Sequence, residues 1–197
     1  MTALLLSLLV ASAHLVGGIA PGAATANAIV RSAFLAGGTP FQSKDGRFTF
    51  TFPDGFSQPS PSTMPLETAV GNLKMKVFTS TKGTGSVFLA AYIDYPKKAF
   101  TEGTEVMLDG AENGAMENLG GTVDTKHSIT IDGNPGRSLV FHGNNKGTDI
   151  YGRVDYYIVK PRLYQILYLT DSQENLTDDN ILGAFSSFAL TKGKSRK

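Results

Sequence analysis

From Thr122 to Thr170 the chain alternates apolar and polar residues in four runs parted only by short turn-forming spacers, and that spacing most limits the folds open to it. Residues 122–131 end in Asp132-Gly133-Asn134-Pro135-Gly136, and residues 137–142 end in Gly143-Asn144-Asn145-Lys146-Gly147. Residues 149–159 and 163–170 are split by Lys160-Pro161-Arg162. A parallel crossover needs about a dozen residues or more to return to the same end of a sheet, so these spacers predict an antiparallel meander.

More strands precede it. Phe48-Thr49-Phe50-Thr51-Phe52 has the period of a strand with one buried face, and Pro53-Asp54-Gly55 ends it in a turn. Residues 58–65 carry three prolines and read as a loop. Leu73-Lys74-Met75-Lys76-Val77 alternates again, while Val87 to Ile93 is almost continuously apolar, as a central strand covered on both faces should be. Between Thr104 and Leu119 the period changes to that of a helix, with Leu108, Ala111, Ala115 and Leu119 on one stripe and Met107 beside it. Gly110 and Gly114 weaken that helix, which points to something packed close against them, and Gly120-Gly121 stops it. A closing helix is expected with Thr177 as N-cap and Ile181, Ala184, Phe185 and Phe188 as its apolar stripe. The expected class is α+β: one domain with an antiparallel sheet of about six or seven strands and helices packed on its faces.

The chain has 197 residues, 41% of them hydrophobic and 18% charged, with a net charge of +1, a composition that excludes a largely disordered protein. It has no cysteine, which excludes disulfides, thiolate metal sites and a cysteine nucleophile. No charged side chain occurs before Arg31. The apolar run Ala3 to Ala11, then Gly17-Gly18, Pro21-Gly22 and the small-residue triplets of Ala24, Ala26 and Ala28, has the pattern of a cleaved secretory signal. It lacks the usual basic start. Cleavage is expected after Ala28, giving an exported chain, periplasmic or extracellular. The rival is a retained anchor, but glycines, a proline and polar residues interrupt the apolar run a span needs. Residues 29–43 read as a flexible lead-in, 44–190 as the domain, and 191–197 as a basic disordered tail holding Lys192, Lys194, Arg196 and Lys197.

Several strings resemble the PsbP-like α/β/α-sandwich family of exported proteins. They are the aromatic strand Phe48 to Phe56, the helix with Ala111 and Gly114-Ala115 before Gly120-Gly121, and Ile131 through Arg137. Arg153-Val154-Asp155-Tyr156-Tyr157, Arg162-Leu163-Tyr164-Gln165 and Phe185-Ser186-Ser187-Phe188 complete the set. The resemblance runs from about Lys44 to Leu190. It implies the sandwich architecture and, in a photosynthetic organism, the thylakoid lumen. It implies no particular activity.

The chemistry-bearing residues are few. Beyond the leader stand His127 and His142, with no His-x-x-x-His or Glu-x-x-His spacing, so solvated surface roles are expected for both. A metal site assembled with Asp149 or Asp155 is the alternative. Gly83-Thr84-Gly85-Ser86 lacks the closing glycine of a nucleophile elbow and reads as a hairpin turn. Glu102, Glu105, Asp109, Glu112 and Glu117 are expected on the exposed side of the first helix, where they solubilise it. Asn175-Leu176-Thr177 matches a glycosylation sequon.

The candidate binding residues are Arg137, His142, Tyr151, Arg153 and Tyr157. One register stands Arg137 across from Arg153, and two opposed cations invite an anion. A shift of one residue puts the two on different faces. In the competing reading, Tyr stems pack under a helix and Arg153 pairs with Asp155 or a helix carboxylate. The functional expectation is an exported, non-catalytic binding or assembly module of the cell envelope. Its partner would be an envelope protein or a small ligand, with no cofactor, no catalytic or metal residues, no nucleic acid and no stable membrane span after signal cleavage. The alternatives are a hydrolase or metal-dependent enzyme with a dispersed site, and a carrier for a small apolar or anionic ligand.

Overall fold

The computed structural model describes residues 38–145 and 147–191. The expected leader, its cleavage after Ala28, residues 29–37 of the lead-in and residues 192–197 of the tail lie outside the described residues.

Seven strands form one antiparallel sheet: β3 (Ser60–Thr68), β4 (Gly71–Lys82), β5 (Ser86–Asp94), β6 (Gly121–Ile131), β7 (Asn134–Asn145), β8 (Thr148–Val159) and β9 (Arg162–Thr170). Their spatial order is β3-β4-β5-β9-β8-β7-β6, and each neighbouring pair is antiparallel. The expected meander is therefore β6 to β9. Two-residue connections hold it together. Asp132 and Gly133 both have positive φ, 48° and 76°, the twist that fits a tight hairpin, so the expected five-residue spacer shrinks to these two.

Helix α1 (Thr104–Leu119) lies on one face of this sheet, against β6, β7 and β8. That core is mainly aliphatic and joins Leu108, Ala111 and Leu119 to Leu139, Val154, Leu167 and Leu89. Gly110 and Gly114 are buried, and Gly120 closes the helix in the left-handed region at φ 59°. The other face carries an aromatic core. A second, three-stranded sheet, β1 (Gly38–Ser43), β2 (Phe48–Pro53) and β10 (Ala189–Leu190), packs there with helix α2 (Asp179–Ser186). Phe48, Phe50 and Phe52 all point into it, against Phe88, Tyr164 and Phe188. Ile181, Ala184, Phe185 and Phe188 are buried as the helical stripe requires.

Three expectations are corrected. The proline-rich stretch is not a loop: β3 runs through Pro61 and Pro65, paired opposite Phe78 and Lys74. It is an outer strand, where alternate N–H groups face away from the partner, so prolines four apart forfeit no ladder bond. The lead-in is structured from Gly38, because Phe41 on β1 packs its ring 4.6 Å from that of Phe78. The N-cap of α2 is Asp178, whose carboxylate accepts from the amide of Asn180 at 2.8 Å, while Thr177 closes a preceding 3₁₀ turn.

Candidate functional site

Register separates the two arginines. On β7 Arg137 stands opposite Tyr156, while Arg153 stands opposite Val140. Strand side chains alternate between faces, so Arg137 points under α1 and Arg153 points into the aromatic layer. Arg137 and Arg153 are therefore not an opposed pair.

Glu105, Asp109 and Glu112 recur at helical spacing along one line of α1, and that line passes over Arg137. Arg137 Nη1 donates to Asp109 at 2.6 Å and to Glu112 at 2.7 Å, and Nη2 donates to Glu105 at 2.9 Å. Lys126 adds a bond to Glu112 at 2.8 Å. Glu112 is therefore not on the exposed side: it is buried, at 8% exposure. Charge alone misled the reading, because a carboxylate can face a sheet when a cation waits there. Burial works against the Arg137 cation, yet hydrogen bonds and charge from Asp109 and Glu112 outweigh it and raise its pKa. Beneath them Tyr156 donates to the carbonyl of Ala111 at 3.4 Å. Burial, helped by the charge of Glu112, lifts the Tyr156 phenol far above its usual range. The cluster fastens helix to sheet.

The other four candidate residues share the opposite face. Arg153 reaches Asp155 with two bonds of 3.2 Å and lies 4.4 Å over the ring of Phe185. Asp155 also accepts from Ser138 at 2.6 Å. Tyr157 is part of the core, its ring stacked 5.7 Å from Phe188 and nearly parallel. Of the competing readings for Arg153, the pairing with Asp155 is the one observed.

His142 and Tyr151 stand opposite each other nearer the open margin. The His142 ring nitrogen Nδ1 lies 2.7 Å from Asp124, and both side chains are well exposed. Asp124 is the residue that sequence reasoning missed. The β6–β7 register shifts between Val123 and Thr125, leaving Asp124 as the extra residue of a bulge that turns it toward His142. His127, opposite Ser138 and three residues along β6 from Asp124, is also exposed. From Asp124 to Ser128 every side chain of β6 is exposed, although alternate residues belong to different faces. Within this margin Lys126 bonds to Glu112 of α1, while the side chains around it stay exposed. The margin offers a bulged, polar ribbon with one oriented imidazole, stiffened by its ladder to β7. Residues 83–85 form the hairpin turn between β4 and β5, as expected. Among the described residues no group of three or more His, Asp or Glu side chains is placed to hold a metal ion, and no helix is long and apolar enough to cross a membrane.

No family model matches the chain, and no curated protein matches it. Solved structures do. A protein from Bacteroides thetaiotaomicron VPI-5482 aligns with a TM-score of 0.51 at 9% identity, covering 81% of this chain and 51% of that one. This chain thus spans about half of that protein, and the likeness concerns fold alone. Cyanobacterial PsbP (CyanoP) from Synechocystis sp. PCC 6803 aligns with a TM-score of 0.48 at 11% identity, over 81% of this chain and 97% of that one. A protein of unknown function from Pseudomonas aeruginosa, PA94, aligns with a TM-score of 0.39 at 13% identity, over 70% and 85% respectively.

Proposed function

We propose that this chain is an exported, non-catalytic binding or assembly module of the cell envelope, PsbP-like in its design. The observation that carries the reading is the β6 margin. Residues 124–128 expose polar side chains on both faces of an outer strand, next to the oriented His142–Asp124 pair and Tyr151. Rigid, polar and exposed, such a margin suits recognition of a protein surface, where exposed charged and imidazole groups set register and partner choice. The two arginines serve the scaffold: buried Arg137 ties down α1 and half-buried Arg153 braces α2.

A photo-crosslinking residue at Thr125 or His127, tested in the native host, should yield a discrete adduct with one envelope protein. The same residue at Glu67, on the opposite outer strand, should not. Absence of any adduct from β6 would overturn the reading. N-terminal sequencing of the exported form should begin at Ile29.

A further inference from the structure

We propose that one end of the molecule is a polycationic face that docks on an anionic lipid bilayer. Four separate pieces of chain meet there. Arg162 Nη1 donates to the carbonyls of Asp45 and Gly46 at 2.8 and 2.7 Å, which brings the β1–β2 turn to the β8–β9 turn. The amide of Tyr95 donates to the carbonyl of Pro161 at 2.9 Å, which adds the segment after β5. The amide of Thr191 donates to the carbonyl of Arg47 at 2.9 Å, so the last described residue leaves from the same end.

Lys44, Arg47, Lys97, Lys98 and Lys160 are all exposed on this end. Among the described residues none of the five is in an ion pair. Asp94 is taken by Arg162 at 2.6 Å, and the exposed acids left at this end are Asp45, Glu102, Asp132 in the β6–β7 turn and Glu67 near the end of β3, against the five cations. Beyond Thr191 the sequence adds Lys192, Lys194, Arg196 and Lys197 without an acid.

The far end has the opposite sign. Asp54 and Asn180 exchange hydrogen bonds there, and the amide of Asp171 donates to Gly85. Exposed Asp54, Asp171, Glu174, Asp178 and Asp179 gather around these contacts, with Lys82 among them. Charge is thus separated along the strands, over about 30 Å for a nine-residue strand such as β5. A surface of negative potential attracts one end and repels the other, which orients the molecule as well as binding it.

A bilayer fits this end better than a folded partner. Its cations are mostly lysines, compact charges suited to a diffuse layer of headgroups rather than to fixed bidentate pairs. Pro161 is exposed among them, and Phe100 lies 5.6 Å beneath the Lys160 ammonium, apolar groups that an interfacial region accepts. The inference goes beyond the β6 margin and rests on the envelope reading only for which bilayer the face meets.

The test uses the chain from Ile29 to Lys197 with vesicles of phosphatidylcholine, either alone or with roughly one-third phosphatidylglycerol. Each lysine near an anionic surface changes partitioning about fivefold, so K97E/K98E/K160E should weaken binding roughly a hundredfold or more. Binding should require phosphatidylglycerol and vanish in high salt. D171N/D179N, at the far end, should bind at least as well as the parent chain. Equal binding to neutral vesicles overturns the proposal, as does unchanged binding of the triple variant. Loss of binding on truncation after Thr191 while the triple variant binds normally assigns the effect to the tail and also overturns it. A β6 adduct without vesicle binding removes this proposal and leaves the module reading standing. Vesicle binding without an adduct supports this face and removes the margin.

Discussion

Arg137 and Glu112 meet across the interface between α1 and the sheet at 2.7 Å, each side chain only 10% exposed. Removing one member of a buried pair strands the other, whereas removing both replaces ions by packing. R137M should therefore cost about 3 kcal/mol in denaturant unfolding. R137M/E112L should recover most of that loss. E105Q, at a carboxylate 74% exposed, should stay within about 1 kcal/mol of the parent. A cost for R137M as small as that of E105Q would mean the cluster fastens nothing.

Gly152 on β8 lies beneath the ring of Phe141, its opposite residue on β7, and a Cβ at that position would run into the ring. G152A should destabilise by about 2 kcal/mol through overpacking. F141L in the same chain should relieve much of the clash. A double variant no more stable than the sum of its parts would locate the obstruction elsewhere.

Burial pushes the Tyr95 phenol up to about 12, and it drives Tyr156 higher still. A phenol whose pKa is raised on folding, from about 10 in the unfolded chain, adds stability below pH 10 and loses it as pH rises through the folded value. Phenolate absorbance should accordingly show a late class near 12 that appears together with unfolding. A single transition near 10 from a still-folded protein would contradict this placement of Tyr95.

Pro61 and Pro65 lie on the outer strand β3, where restoring an N–H supplies a donor to any incoming strand. P61T/P65T should raise concentration-dependent association, read by light scattering, while leaving the unfolding midpoint within about 1 kcal/mol of the parent. Strictly monomeric behaviour of the variant would show that the prolines guard nothing.

Much of this architecture was legible because its signals are local. The Phe48-Thr49-Phe50-Thr51-Phe52 alternation, the stripe Leu108, Ala111, Leu119 and the Asp132-Gly133 turn each state their geometry within a few residues. What escaped depends on neighbours distant in sequence. Proline in residues 58–65 excludes an inner strand but not an outer one, and sequence does not reveal where a strand sits in the sheet. Glu112 looks solvated until Arg137 is known to lie under the helix. The Asp124 bulge had no local signature, so the His142–Asp124 pair could not be anticipated. Register decided the arginines. Sequence allowed Arg137 and Arg153 to be opposed or separated, and only the pairing of Arg137 with Tyr156 chose between them.

Strand β2 is flanked by β1 on one side and by β10 on the other, so the earliest and latest described strands share one neighbour. A chain that emerges amino-terminus first can complete its large meander while β2 still has an open side. That side closes only when Ala189 and Leu190 arrive. The small sheet therefore acts as a completion latch, and a polypeptide cut short even slightly before its final strand would carry an unpaired, phenylalanine-rich edge.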